Sequence, residues 1–323
     1  MSIHASAVRI HTHGDPAVVL RLEAVEVGDP GPGQVRLVMR LAPINPADLN
    51  VIEGTYGRLP TLPATVGNEG LGEVVAVGAG VAWPLGTLVR PRDGLGTWCA
   101  AAIADVARCT RLPAGLPDDQ AAQLGVNPAT AWAVLHEFGP LHSGAWVLCN
   151  APASGVGRSL AALCAARGLR LACLVRREGE APPGTLAVPE GREAVKVLKA
   201  LGARLALNQV GGDSAVSLAK ALAPQGALVT IGALARQPLS LPNGAVIFNE
   251  LRCCGFWVSR WYERAEPATV EAMMDELGGL MRDGRLHLPV AATYPLTQVQ
   301  EAVIHARQSG RGGKVLLDCP AAG

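Results

Sequence analysis

Trp146-Val147-Leu148-Cys149-Asn150-Ala151-Pro152-Ala153-Ser154-Gly155-Val156-Gly157 decides how this chain folds. The first four residues are an apolar run, which Asn150 extends to strand length. Of the next seven all but Val156 are small or turn-forming, and Arg158 to Arg167 continues as a helix. A strand that turns on small residues into a helix brings backbone N–H groups and the positive end of a helix dipole to one point, which suits a pyrophosphate. The full G-x-G-x-x-G is absent, because Ala151 and Ala153 hold the earlier small positions. The weight of the motif therefore lies in its strand–turn–helix order.

Outward from this turn, strand and helix alternate. Ala145 to Asn150 reads as a strand, Gly168 ends the helix, and Leu169 to Val175 is the next strand. A polar, Pro-rich stretch follows. Then come a helix over Arg192 to Leu201, a strand over Arg204 to Val210, a helix over Ala215 to Leu222 and a strand over Ala227 to Ile231. That alternation predicts an α/β fold with a doubly wound parallel sheet of the Rossmann kind. Upstream, short β-like runs (Gln34 to Met39, Gly72 to Val77, Thr87 to Arg90) are broken by Gly and Pro, as in an antiparallel, barrel-like unit. Composition shifts at Leu116-Pro117-Asp118-Asp119. After Trp261 a helix near Pro267 to Arg282 and a strand over Lys314 to Asp318 are expected to return to the first unit. The expected domains are 1–118, 119–260 for the cofactor, and 261–323.

Composition removes several classes. Of the 323 residues, 49% are apolar and 17% charged, so the chain can build cores and is not disordered. A net charge of +1 gives no reason to expect nucleic acid or an anionic membrane as a partner. Apolar runs are too short to span a bilayer, and the first fifteen residues do not read as a signal peptide. The eight cysteines contain no C-x-x-C and mostly sit in apolar runs, as reduced thiols of a cytoplasmic protein do.

The end of the second strand bears on the choice of dinucleotide. A site for NAD places Asp or Glu there to hold the ribose 2′-OH. This chain has Arg176-Arg177-Glu178. Two guanidiniums suit a 2′-phosphate and point to NADPH, although a solvated basic turn would carry the same residues.

Several segments resemble the medium-chain dehydrogenase/reductases, and among these the mitochondrial-type 2-enoyl thioester reductases. They are Asn45-Pro46-Ala47-Asp48, Gly54-Thr55-Tyr56-Gly57, Gly67-Asn68-Glu69-Gly70, Asn127-Pro128-Ala129-Thr130-Ala131, Asn208-Gln209-Val210-Gly211-Gly212, Gly255-Phe256-Trp257-Val258-Ser259 and Gly313-Lys314-Val315. The resemblance spans nearly the whole chain. It implies a GroES-like β-rich catalytic domain beside the Rossmann domain. It also implies NADPH as cofactor, an acyl-CoA or acyl-carrier-protein thioester as substrate, and a homodimer. By the same resemblance Tyr56 is the proton donor, with Asn45 and Trp257 in the catalytic site. The cofactor contacts become Asn127, Thr130, Ser154, Gly155, Val156, Gly157, Arg176, Arg177, Ile231, Gly232, Ala233, Leu234, Phe256, Trp257, Val258 and Lys314. Read without the resemblance, Tyr56 is a loop aromatic, Asn127 caps the helix that starts at Pro128, and Lys314 is a strand-edge charge.

Zinc-dependent relatives carry a cysteine and a histidine where this chain has Asn45 and Asn68, so no metal is expected. One departure from the family stands out. Leu201-Gly202-Ala203 abuts Arg204-Leu205 where a further strand and helix are usual, which predicts a smaller or rearranged sheet. A zinc-free quinone reductase of the same superfamily and a non-catalytic NADPH-binding protein are the competing readings.

Overall fold

Val35, Leu37 and Met39 alternate with partly exposed neighbours and are fully buried, the period-two pattern of a strand with one face on a core. The computed structural model to which they belong describes residues 2–92 and 94–319; residue 1 and residues 320–323, the outer ends of the expected domains, lie outside it. Residues 1–126 with 288–323 form one compact unit, and residues 127–287 form the second.

The first unit begins with β1 (Ile3–Ile10), β2 (Arg21–Val27), β3 (Gln34–Pro43), β4 (Ala64–Thr65), β5 (Leu71–Val77), β6 (Leu88–Pro91), β7 (Ala101–Asp105) and β8 (Cys109–Arg111). The second contains β9 (Trp146–Asn150), β10 (Arg170–Val175), β11 (Leu186–Pro189), β12 (Leu205–Asn208), β13 (Ala227–Thr230) and β14 (Arg252–Gly255). β15 (Val290–Pro295) and β16 (Lys314–Asp318) complete the first. Its larger sheet runs β15-β16-β3-β5-β6-β8 with β7 also on β3, and a smaller one runs β2-β1-β4. All pairs are antiparallel except β15 with β16. Leu37, Met39, Val74, Val89, Trp98 and Val315 meet in its core.

In the second unit six strands run in the order β11-β10-β9-β12-β13-β14, all parallel. This is the expected α/β fold, and its six strands in regular doubly wound order correct the expectation of a smaller or rearranged sheet. The edge strand β11 lies inside the polar, Pro-rich stretch, paired from Leu186↔Ala172 to Pro189↔Val175. Proline is tolerated there because an outer strand has one edge without a ladder partner. The contraction falls elsewhere than expected. Helix Ala194–Lys199 leads directly into β12, and it is the connection from β10 to β11, residues 176–185, that contains no helix.

The return to the first unit also comes later than residue 261. Helices Val258–Arg264 and Pro267–Arg282 stay with the second unit because polar contacts lock them onto it. Trp261 Nε1 donates to Glu137 Oε1 at 2.8 Å, and Trp132 Nε1 donates to Glu276 Oε2 at 2.6 Å. Arg167 binds both oxygens of Glu276, at 3.0 and 2.8 Å. Cys99, Cys109, Cys149, Cys164, Cys173 and Cys319 are buried free thiols, and Cys253 is exposed.

Candidate active and cofactor-binding site

Helix Pro46–Glu53 places the first group of residues. Pro46 at its first position pre-sets φ, and Gly54 ends it at φ 79°, a left-handed cap that costs glycine little. Thr55, Tyr56 and Gly57 follow, with Thr55 N–H tied back to the Asn50 carbonyl at 2.8 Å. Tyr56 is half-buried in this loop.

The start of the same helix is anchored in a buried polar network that reading the sequence did not assemble. Asn45 N–H donates to Asp48 Oδ2 at 2.7 Å. The backbone N–H and Nδ2 of Asn68 donate to Asp48 Oδ1 at 2.8 and 2.9 Å. Asn45 Nδ2 donates to Glu69 Oε2 at 2.8 Å, Asn45 Oδ1 accepts from Lys314 Nζ at 2.7 Å, and Glu69 Oε1 accepts Val126 N–H at 2.7 Å. Arg90 is buried beside Gly125, where an added Cβ would strike its side chain. Two carboxylates thus face two cations away from water, the condition under which buried charge is tolerated. Burial pushes Asp48 up to about 7 against the N–H donors, and pushes Lys314 down to about 8 against the pull of Glu69. Both ends of the Asn45 amide are engaged in this network, and Lys314 is buried in it rather than standing as a strand-edge charge. Among the described residues no group of three or more His, Cys, Asp and Glu side chains is placed to hold a metal ion.

In the second unit Ser154 to Gly157 follow β9 and Ile231 to Leu234 follow β13, at the C-terminal ends of strands, where parallel α/β sheets bind ligands. Ser154 caps helix Gly155–Ala166, its Oγ accepting Gly157 N–H at 3.0 Å. The side chain of Asn127 lies against Gly155, where an added Cβ would come within 3.0 Å of it. Gly157 packs so closely on Pro152 that no larger residue fits. Thr130 is buried in the helix that Asn127 begins. Ile231 N–H bonds Asn208 O at 2.9 Å and Leu234 N–H bonds Gln209 O at 3.1 Å, which brings the turn Ile231-Gly232-Ala233-Leu234 to the same edge.

Gln209 joins these pieces. Its backbone N–H donates to Asn150 Oδ1 at 2.7 Å, its Nε2 to Asn150 O at 2.7 Å and Ala151 O at 3.4 Å, and its Oε1 accepts from Ser154 Oγ at 2.8 Å. Ala151 has φ 49°, an uncommon conformation for a residue with a Cβ, and this bonding holds it there. Beyond β14, Phe256 and Trp257 are half-buried, Val258 is buried, and Arg260 lies 5.8 Å over the Trp257 ring. Arg176 and Arg177 are exposed just past β10. The helix N-terminus after β9, the amide-braced turn and the paired arginines form a donor set that fits a phosphorylated dinucleotide.

Known proteins resemble this chain in sequence and fold. Residues 31–131 match the model of the alcohol dehydrogenase GroES-like domain, and residues 188–317 match that of a zinc-binding dehydrogenase. The mitochondrial enoyl-[acyl-carrier-protein] reductase of Rattus norvegicus is 36% identical over 318 residues, covering 93% of this chain and 85% of its own length. That of Homo sapiens is 37% identical over 317 residues, covering 90% and 82%. Among solved structures, the Etr1p complex with NADP and crotonyl-CoA superposes with a TM-score of 0.88 at 26% identity, covering 98% of this chain and 100% of that one. A proposed NADPH:quinone reductase from Bacillus thuringiensis gives 0.89 at 28% identity, covering 98% and 99%. Fold and site define a medium-chain dehydrogenase/reductase, an oxidoreductase with a GroES-like unit and a parallel six-stranded cofactor sheet. Within that superfamily the chain belongs to the enoyl thioester reductase family.

Proposed function

We propose that this protein uses NADPH to reduce the 2,3 double bond of trans-2-enoyl thioesters carried on CoA or acyl carrier protein, without zinc, with Tyr56 as proton donor. The observation that carries the reading is the half-buried Tyr56 in the glycine-flanked loop after helix Pro46–Glu53, in a chain whose relatives are enoyl-[acyl-carrier-protein] reductases.

NADPH, when bound, supplies the hydride that adds to the β-carbon. Ser154, Gly155, Val156 and Gly157 hold the pyrophosphate on the helix N-terminus. Asn127 and Thr130 border that turn, Arg176 and Arg177 hold the 2′-phosphate, and Ile231 to Leu234 with Phe256, Trp257 and Val258 form the nicotinamide side. The chain must also stabilise negative charge on the thioester oxygen and protonate the α-carbon. Tyr56 delivers the proton, the role of a positioned general acid. Asn45 acts in the catalytic unit as part of the buried network that fixes the start of the helix bearing the Tyr56 loop. Lys314, expected among the cofactor contacts, is bonded to Asn45 within the first unit.

A homodimer fits the outer position of β14 in its sheet and the exposed Ile247 and Phe248 just before it. Among the described residues no helix is long and apolar enough to cross a membrane. The relatives are named as mitochondrial; the free thiols suit a reducing compartment, which for this chain we take to be the cytoplasm.

The likeness to the Bacillus thuringiensis protein keeps quinone reduction as the second reading. NADPH oxidation with crotonyl-CoA, longer enoyl-CoAs and a quinone, assayed side by side, separates the two. Turnover of the quinone alone would overturn the thioester assignment.

A further inference from the structure

The helix-free connection after β10 has a consequence at its first residues. The backbone N–H groups of Arg176 and Arg177 lie past the end of the strand with no helix to receive them, and Glu180 takes both. Its Oε2 accepts Arg176 N–H at 3.0 Å and Arg177 N–H at 3.3 Å, while its Oε1 accepts from Arg177 Nε at 3.2 Å. The Glu180 side chain is only 18% exposed, folded under the turn, whereas that of Arg177 is 66% exposed. Two backbone amides and one guanidinium converging on an anion are a donor set that suits a phosphate group. Burial would raise the Glu180 carboxyl, but those donors outweigh it and hold the group below the ordinary carboxylate range. It therefore carries its negative charge at neutral pH.

We infer that Glu180 is a specificity-determining residue for the cofactor: its carboxylate occupies the donors that a 2′-phosphate would use and so restrains the preference for NADPH. The inference rests on the assignment of Arg176 and Arg177 to that phosphate. If the carboxylate stays when NADPH binds, it faces a like-charged group at close range. If it leaves, the turn gives up three hydrogen bonds. Both costs fall on NADPH. NADH brings a neutral 2′-OH, which a carboxylate can accept as a hydrogen-bond donor. Glu180 thus opposes the two arginines next to it, and the net preference is the difference between them.

The experiment measures Kd for NADPH, NADH and 2′,5′-ADP by calorimetry on the full-length parent, on Glu180→Gln, on Glu180→Ala, and on the double variant Arg176→Ala with Arg177→Ala. Thermal melts check that each variant is folded. Glu180→Gln keeps a side-chain acceptor for the turn while removing the charge, and Glu180→Ala clears the position. Removal of one like charge is expected to tighten NADPH and 2′,5′-ADP by about tenfold, with NADH unchanged or weaker. An unchanged ratio of NADPH to NADH affinity in both Glu180 variants overturns the inference. So does weaker NADPH binding in both, which would make Glu180 a support of the turn. The arginine variant separates this failure from that of the cofactor assignment. If the parent's ratio does not fall on removing both guanidiniums, the assignment itself is wrong; if it falls while the Glu180 variants leave the ratio unmoved, only the role of Glu180 is.

Discussion

Lys314 Nζ donates to Asn45 Oδ1 at 2.7 Å, joining the last strand of the chain to a helix start 269 residues earlier. The same amide donates from Nδ2 to Glu69. A neutral side chain therefore relays between a buried ammonium and a buried carboxylate, and its orientation is fixed because one end can only accept and the other only donate. Such a relay ties N-P-A-D, G-N-E-G and the C-terminal G-K-V into one structural unit, although the three motifs are far apart in sequence.

Loss of the cation should therefore cost more than one surface contact. Lys314→Met leaves Glu69 and Asp48 buried without that ammonium, and removing one partner of a buried charge pair typically costs about 3–5 kcal/mol. The retained Arg90 favours the lower end of that range. Adding Glu69→Gln to the lysine variant removes the stranded charge and should recover part of the loss. Denaturant unfolding of the two single variants and the double variant checks this. Equal and additive losses would mean that the two groups do not communicate.

This network shows where the sequence was readable and where it was not. The turn from Trp146 to Gly157 was legible because its order of strand, small residues and helix is local. The parallel sheet followed from periodicity in the segments around it. β11 was hidden because four residues, Leu186 to Pro189, sit among prolines and glycines and become a strand only by pairing with β10. Asp48, Glu69 and Arg90 were equally hidden as a group. Each looks like an ordinary charged residue until folding removes its water, and the one local signal was a carboxylate set directly before the apolar strand β5. Trp261, four residues after Trp257, is almost fully buried and binds Glu137, whereas Trp257 is half-buried.

Glu276 gives the second unit a dependence on pH. Burial alone would raise its carboxyl, but the hydrogen bonds from Arg167 and Trp132 hold it below the ordinary value. A carboxylate lowered in the folded state contributes stability that is present above its unfolded pKa and is lost as pH falls through the folded one. The parent should therefore exceed Glu276→Gln in stability by about 1–2 kcal/mol at neutral pH, the scale of charge-assisted bonds at a partly exposed site. That gap should close as pH drops below about 4.5, the ordinary region for a glutamate. Thermal melts of both proteins across that range provide the check, and a constant gap would exclude the carboxylate as its source.

Gln209 should act on the cofactor alone. Its amide braces Asn150, Ala151 and Ser154, the residues that shape the pyrophosphate turn. Gln209→Leu keeps the volume and removes the bonds, so Ala151 is free to relax from its left-handed conformation. NADPH and NADH should both bind about tenfold more weakly, the cost of losing one to two hydrogen bonds' worth of preorganisation. The KM for crotonyl-CoA at saturating cofactor should stay within about twofold of the parent, because in this reading the residue touches only the turn. A change confined to the thioester KM would contradict that role.

Tyr56→Phe is the decisive variant for the chemistry. It keeps the ring and its packing in the loop after Gly54 and removes only the phenol hydroxyl. If that hydroxyl supplies the proton to the α-carbon or stabilises charge on the thioester oxygen, kcat with crotonyl-CoA should fall by about a hundredfold or more, the usual scale for one general acid or oxyanion donor. NADPH affinity should hardly move, since the glycine turn, Arg176 and Arg177 are untouched. Quinone reduction is the internal control. It places charge on oxygens that water can protonate, so the missing hydroxyl should cost it little. Both substrates are therefore measured in both proteins, with direct NADPH binding alongside. A selective loss with the thioester assigns the proton to Tyr56. Equal rates of crotonyl-CoA reduction in parent and variant would remove Tyr56 from the mechanism and leave quinone reduction as the better account of this site.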